Sequence, residues 1–203
     1  WWFLMGGMYV SEQGKMETYL RDKYDEEFIV NNLRIEGSGL GVKGDLYGDA
    51  RPQNNSRLKF QIWDITGRKD SSRKYLDEYP GVTWTEEATS TIKPLLVQIF
   101  GYEPKYELKI HTAQMNSKIR GKLIDFESAT EKYQDSISIS LTVYTSEKVN
   151  TSNKSTHLNR LEKLIRYLKS TGARATLTYS DPDKSGGCYM EYQALINIRD
   201  IKS

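Results

Sequence analysis

The sequence is poor in the residue types from which most catalytic and metal centres are built. Its 203 residues hold one cysteine, Cys188, and two histidines, His111 and His157. A single thiol forms no internal disulfide, and with two histidines it completes no closed Cys/His zinc site. There are five prolines and no Pro- or Ser-rich linker. An excess of one charge is missing too: 29 Lys+Arg face 27 Asp+Glu, a formal +2, which gives no global field for nucleic acid or anionic lipid. No P-loop, G-x-S-x-G elbow or H-E-x-x-H motif occurs.

What is present suffices for a core. Hydrophobic residues make up 37% of the chain beside 15 glycines, which excludes wholesale disorder. Tyrosine dominates the aromatics, 14 against 5 Phe and 4 Trp, a balance suited to half-exposed sheet faces. The segment Trp1-Trp2-Phe3-Leu4-Met5-Gly6-Gly7-Met8-Tyr9-Val10 carries no charge and is half the ~20 apolar residues that span a bilayer. It reads as the outer end of a membrane anchor ending near Val10, with Trp1 and Trp2 in the interfacial belt, or as an apolar leader or N-terminal strand. The anchor reading places the body outside the cytoplasm.

Periodicity then predicts an α+β fold: antiparallel sheet of about eight strands packed by three or four helices. Met16, Tyr19, Leu20 and Tyr24 make one face of a helix over 11–24, with Glu17, Arg21 and Asp22 opposite. Strands follow at Phe28–Ile35, Val42–Tyr47 and Arg57–Ile65. Residues 71–79 form a short amphipathic turn stopped by Pro80-Gly81. Thr83-Trp84-Thr85-Glu86 reads as a capping box opening a helix that buries Trp84, Ala88, Ile92, Leu95, Leu96 and Ile99, with a kink or break expected at Pro94. Strict alternation marks strands at 105–111, 118–123 and 136–143, each with one solvated face, which favours antiparallel pairing. A helix over Thr156–Ser170 on Leu158, Leu161, Leu164, Ile165 and Leu168 ends at Gly172, and Arg174–Tyr179 with Cys188–Ile201 closes a hairpin. The order suggests two related lobes, 11–101 and 102–203, meeting at the turn Gly101–Pro104 and sharing one core. The similarity between Tyr19–Val30 and Tyr167–Leu177 is too thin to define a repeat.

Several constellations invite a chemical reading. Gly39-Leu40-Gly41-Val42-Lys43-Gly44 matches G-x-G-x-x-G, but Gly48 and Pro52 stand where a pyrophosphate-binding helix must begin, so no dinucleotide cofactor is expected and a glycine-rich hairpin tip accounts for it. Asp181, Asp183 and Ser185 with Gly186 resemble the first half of a calcium loop, yet Tyr192 replaces the bidentate acid, and a polar hairpin loop is the better account. His111 and His157 share no motif and read as surface residues. Cys188 reads as a small apolar core residue. Lys118, Arg120 and Lys122 line one strand face, and Lys105, Lys109 and His111 join them if the strands pair, giving a candidate binding face; Glu107 interrupts it. Asn54-Asn55-Ser56, Asn150-Thr151-Ser152 and Asn153-Lys154-Ser155 fit N-x-S/T in a chain rich in both residues.

The run Tyr19-Leu20-Arg21-Asp22-Lys23-Tyr24-Asp25-Glu26-Glu27-Phe28-Ile29-Val30 resembles the opening of small membrane-anchored or lipoprotein-type extracytoplasmic proteins of Gram-positive bacteria, whose function is unassigned. There a helix ending in Lys-Tyr-x-x-Glu-Phe follows the membrane segment and feeds a strand. The strand Leu58–Ile62 and the pair Phe100-Gly101 extend the resemblance over about residues 8–101; it carries no catalytic residues. The function expected is a non-catalytic, membrane-anchored module that binds a protein partner, of the inhibitor or immunity, surface-exclusion or envelope-assembly type, with no cofactor and no nucleic acid. The alternatives are a cell-envelope hydrolase using carboxylates or Cys188, and a lipid or small-molecule carrier.

Overall fold

Helix α1, Trp2–Tyr24, lays Met16, Leu20 and Tyr24 onto the first sheet, all three essentially inaccessible to water. The structure is a computed structural model. It describes residues 2–37, 44–65, 75–112, 118–133, 136–147, 149–180 and 194–196, with backbone alone for 2–10, 180 and 194–196. Among the described residues no helix is long and apolar enough to cross a membrane.

The sheet under α1 is an antiparallel meander: β1 (Phe28–Glu36), β2 (Asp45–Pro52), β3 (Phe60–Asp64) and β4 (Tyr75–Asp77), in that order. Alternation turns Phe28, Val30, Ala50, Phe60, Ile62 and Tyr75 toward α1 and the other set toward solvent. Gly48 lies under α1, where a Cβ would come within 2.8 Å of Val30 Cγ1 and 3.3 Å of Met16 Sδ, so only glycine lets helix and strands approach this closely. The glycine run read as a hairpin tip leads into β2, a strand and no helix. Between Asn31 and Arg34 one extra residue enters β1 as a bulge, with Asn32 at φ +51°. Just before it, Glu17 of α1 accepts a hydrogen bond from the Val30 amide at 2.9 Å, on the open edge of β1.

Helix α2, Tyr79–Phe100, begins four residues before the capping box read from sequence and runs unbroken through Pro94. Asp77 Oδ1 accepts from the Tyr79 amide at 3.2 Å, and Pro80 sits in the first turn, where a missing N–H costs nothing. Of the residues read as an amphipathic turn, Tyr75–Asp77 are instead β4, paired with β3, and Tyr79 opens α2. Trp84, Ala88, Ile92, Leu96 and Phe100 form the buried stripe of α2.

The second sheet runs β5 (Lys105–His111), β6 (Ser138–Tyr144), β7 (Arg174–Ser180) and β8 (Ala194–Ile196). Its outer pairs are antiparallel, but β6 and β7 are parallel, which departs from the expected pairing. The reason lies in the connection: α4 (Lys154–Ser170) stands between them as the crossover that a parallel pair requires. Gly172, at φ +71°, closes α4 as expected. The short α3, Phe126–Lys132, is capped by Asp125, which accepts from the Ser128 amide at 2.9 Å. Residues 118–123 form no strand. Gly121 turns the chain at φ +77° and donates its amide to the Lys23 carbonyl at the end of α1.

The fold is therefore α+β, with four helices and two four-stranded sheets among the described residues. By contacts the chain divides into two units, Trp1–Thr83 with Ala113–Leu123, and Trp84–Thr112 with Ile124–Ser203. That division falls inside α2, whereas the sequence reading places it at the Gly101 turn.

Candidate functional site

The sheet of the first unit has a second face, away from α1, and its side chains form an ordered row. Arg34, Tyr47, Trp63 and Leu76 come one from each strand and oppose one another in register: Arg34 with Tyr47, Tyr47 with Trp63, Trp63 with Leu76. Directly opposed residues point to the same side, so the four lie side by side across the whole sheet. The Tyr47 and Trp63 rings stack at 5.9 Å with planes 22° apart, and the Arg34 guanidinium lies 5.9 Å from the Tyr47 centroid. All four are half-buried.

One pleat along, Asn31, Asp49 and Gln61 form a second, polar row in register with each other. Asp49 is its centre. Arg34 Nη1 donates to Asp49 Oδ1 at 2.7 Å, and Asn32 Nδ2 donates to Oδ2 at 3.1 Å. The Arg34 guanidinium, then the Asn32 amide, hold the Asp49 carboxyl below its usual range, so it is ionised at neutral pH. The bulge makes this possible, because it turns Asn32 back toward Asp49 while keeping Arg34 opposite Tyr47. Asn31, Asp49 and Gln61, with Arg51, Lys59 and Glu78, line an open groove of about 490 Å³.

Two buried polar centres lie elsewhere. In the first unit Lys23 Nζ donates to Asp77 Oδ2 at 2.7 Å, the Tyr24 hydroxyl donates to Asp77 Oδ1 at 2.7 Å, and Lys23 lies 4.7 Å from the Tyr24 ring centroid. Burial, reinforced by the Asp77 charge, pushes the Tyr24 phenol far up, so it stays a donor. In the second unit His157 is 2% exposed; its Nδ1 lies 2.6 Å from the Tyr179 hydroxyl and its Nε2 3.7 Å from a Glu147 oxygen. Burial pushes the Tyr179 phenol up to about 12. His157 is thus no surface residue: the buried stripe of α4 is His157, Leu164 and Leu168, and Leu158 turns out to solvent at 48% exposure. Both centres are enclosed, and the contacts given above for each lie within its own unit.

The basic residues read from sequence do not form one patch. Lys105, Lys109 and His111 stand exposed on the open face of β5, where His111 Nε2 lies 3.1 Å from Ser140 Oγ. Lys118, Arg120 and Lys122 are exposed on an irregular segment that belongs to the first unit. The strand pairing that would have joined them is absent, because β5 pairs with β6. Asp181, Asp183 and Ser185, and Cys188, lie outside the described residues. Among the described residues no three His, Cys, Asp or Glu side chains gather to hold a metal ion.

The sequence reading missed the row across the first sheet. Tyr47 and Trp63 had been assigned to strands, but which residues oppose which depends on a one-residue bulge that no pattern announces.

Neither a protein-family model nor a curated protein matches the sequence. The crystal structure of a DUF5037 family protein from Ruminococcus gnavus is similar at 13% identity, covering 82% of this chain and 73% of that one with a TM-score of 0.41. A likeness at that level carries no argument about function.

Proposed function

We propose that the protein is a non-catalytic binding module that engages a protein partner through the open face of its first sheet. One observation carries this reading: the cross-strand row Arg34–Tyr47–Trp63–Leu76, in register and half-buried on the face away from α1. Tyr, Trp and Arg are the residues enriched at the energetic centres of protein interfaces, where large, rigid side chains give contact area at low entropic cost. Here mutual stacking holds them in place before a partner arrives, which reduces the ordering cost of binding. The inhibitor or immunity, surface-exclusion and envelope-assembly roles all require this kind of surface. Attachment to the outer side of a membrane through the segment ending near Val10 is part of the proposal, supported by the uncharged run Trp1–Val10.

The test is site-specific photocrosslinking on the full-length protein in its own cells. A crosslinker at position 63 is expected to yield a discrete protein adduct, and one at position 176, on the open face of the other sheet, is not. With the adduct's protein purified, Trp63→Ala should weaken binding at least about 30-fold, the effect of losing one central interface aromatic. Adducts from position 176 alone, or affinity unchanged by Trp63→Ala, would overturn the reading. Recovery of the protein in the soluble fraction when the gene is expressed with its own start would remove the anchor.

A further inference from the structure

We infer that the polar groove beside the aromatic row is a subsite for an uncharged saccharide. This goes beyond protein binding, and the floor of the groove is a different row of residues, beside the aromatic one. The groove, about 490 Å³, falls within the ~300–1,000 Å³ of small-ligand clefts. Its floor is the register-matched row Asn31, Asp49 and Gln61. Asp49 is oriented at both oxygens, by Arg34 and by Asn32, yet its side chain is 42% exposed. Each carboxylate oxygen accepts two hydrogen bonds, so a second site on each stays open to a ligand O–H. The carboxamides of Asn31 and Gln61 offer donor and acceptor on one group, the same dual capacity that a sugar hydroxyl presents.

The charges around the groove decide against other ligands. Asp49 and Glu78 are matched by Arg51 and Lys59, so neither a phosphate nor a carboxylate finds a net attraction, and the lining is part polar and part apolar, as is the surface of a sugar. A peptide in extended form is also uncharged along its backbone, but it binds by completing a sheet edge. This groove lies on the face of the sheet, where the strand amides and carbonyls are already paired in the ladder. Side chains alone must recognise the ligand. Two further features fit. Asn32, at φ +51° in the bulge, turns its amide onto Asp49 and so fixes the carboxylate at the groove floor. Tyr47 and Trp63 stand two residues along the same strands, about 7 Å away, within reach of the apolar face of a sugar ring.

The test is an amide NMR titration of the full chain with cellotriose, maltotriose and chitotriose, each to about 10 mM, enough to detect millimolar binding. At least one should shift the amides of residues 31, 49 and 61 saturably. Gln61→Ala and Asn31→Ala should each weaken it about tenfold, while Thr176→Ala leaves it unchanged. Trialanine and inorganic phosphate serve as the peptide and anion arms. The inference is overturned if none of the three sugars shifts the groove amides, if trialanine or phosphate does so instead, or if sugar binding survives both substitutions. These outcomes are independent of crosslinking at position 63, so the groove and the protein-binding face stand or fall separately.

Discussion

Ser138, Ser140 and Thr142 on β6 hold the same kind of position in the second sheet that Tyr47 and Asp49 on β2 hold in the first: outward-facing, on an inner strand of a four-stranded sheet. The second sheet fills the middle of its open side with short hydroxyls, Thr176 and Thr178 on β7 included, and rims it with Lys105, Glu107, Lys109, His111, Tyr144 and Arg174. The first fills the equivalent positions with an indole, a phenol and a guanidinium. Hydroxyls suffice to satisfy solvent on a sheet of this size, so stability alone does not call for the larger set. The contrast continues inside. The first unit encloses an ion pair, Lys23 with Asp77, while the second encloses a histidine and a tyrosine. Polar groups in the first unit are specialised both within and without, and that is the unit in which the candidate site lies.

The largest expected effect tests the inner half of this contrast. Asp77→Ala leaves the Lys23 ammonium, 6% exposed, without this carboxylate, which should destabilise the first unit by about 3–5 kcal/mol. Urea unfolding followed by amide exchange will show it, and a loss below about 1 kcal/mol would mean the buried pair is dispensable. Next is the outer half: Tyr47→Ala should lower partner affinity by about 2 kcal/mol while changing thermal stability little, the reverse of the Asp77 result. Calorimetry on the purified complex separates the two.

Tyr179→Phe provides the matching cut in the second unit. Removing the hydroxyl beside His157 Nδ1 should cost about 1–3 kcal/mol, less than the charged centre, by denaturant titration. The smallest effect concerns pH. The folded Asp49 carboxyl lies below its unfolded value, so its stabilising contribution is complete above ~3.9 and is lost as pH falls through the folded value. Because the side chain is well exposed, that contribution is at most about 0.5 kcal/mol. Asp49→Asn should lower stability by that amount at pH 7, match the parent protein once the carboxyl is protonated, and so flatten the profile below about pH 4, as read from midpoints across a pH series.

The fold was legible where one periodicity held long enough. Alternation in 105–111 and 138–144 located β5 and β6, and the stripe from Trp84 through Leu96 located α2. The same rule failed where hydrophobicity and helix geometry disagreed. It turned Leu158 inward and His157 outward, although position 157 lies four before Leu161 and seven before Leu164 and so continues the buried stripe. It gave no place to Lys23, because nothing near residue 23 hints at Asp77, 54 residues away. Alternation at 118–123 was real but was overruled by Gly121, whose positive φ cannot continue a strand. The candidate site was the least legible part. Its residues could be named, but their opposition across four strands follows from registers that the bulge at Asn31–Arg34 resets.

The Glu17 carboxylate on the Val30 amide has a bearing on how copies of this chain meet one another. An uncovered outer strand is a template on which another chain can add its own strand. Here the template is spoiled where β1 would seed such growth: one of its outward donors is already taken by the helix, and the next residues bend out of line at the bulge. The opposite margin, β4, is three residues long and offers little to copy. Concentrated solutions of this protein should therefore resist fibre formation through the first sheet, even though its exposed aromatic side invites company.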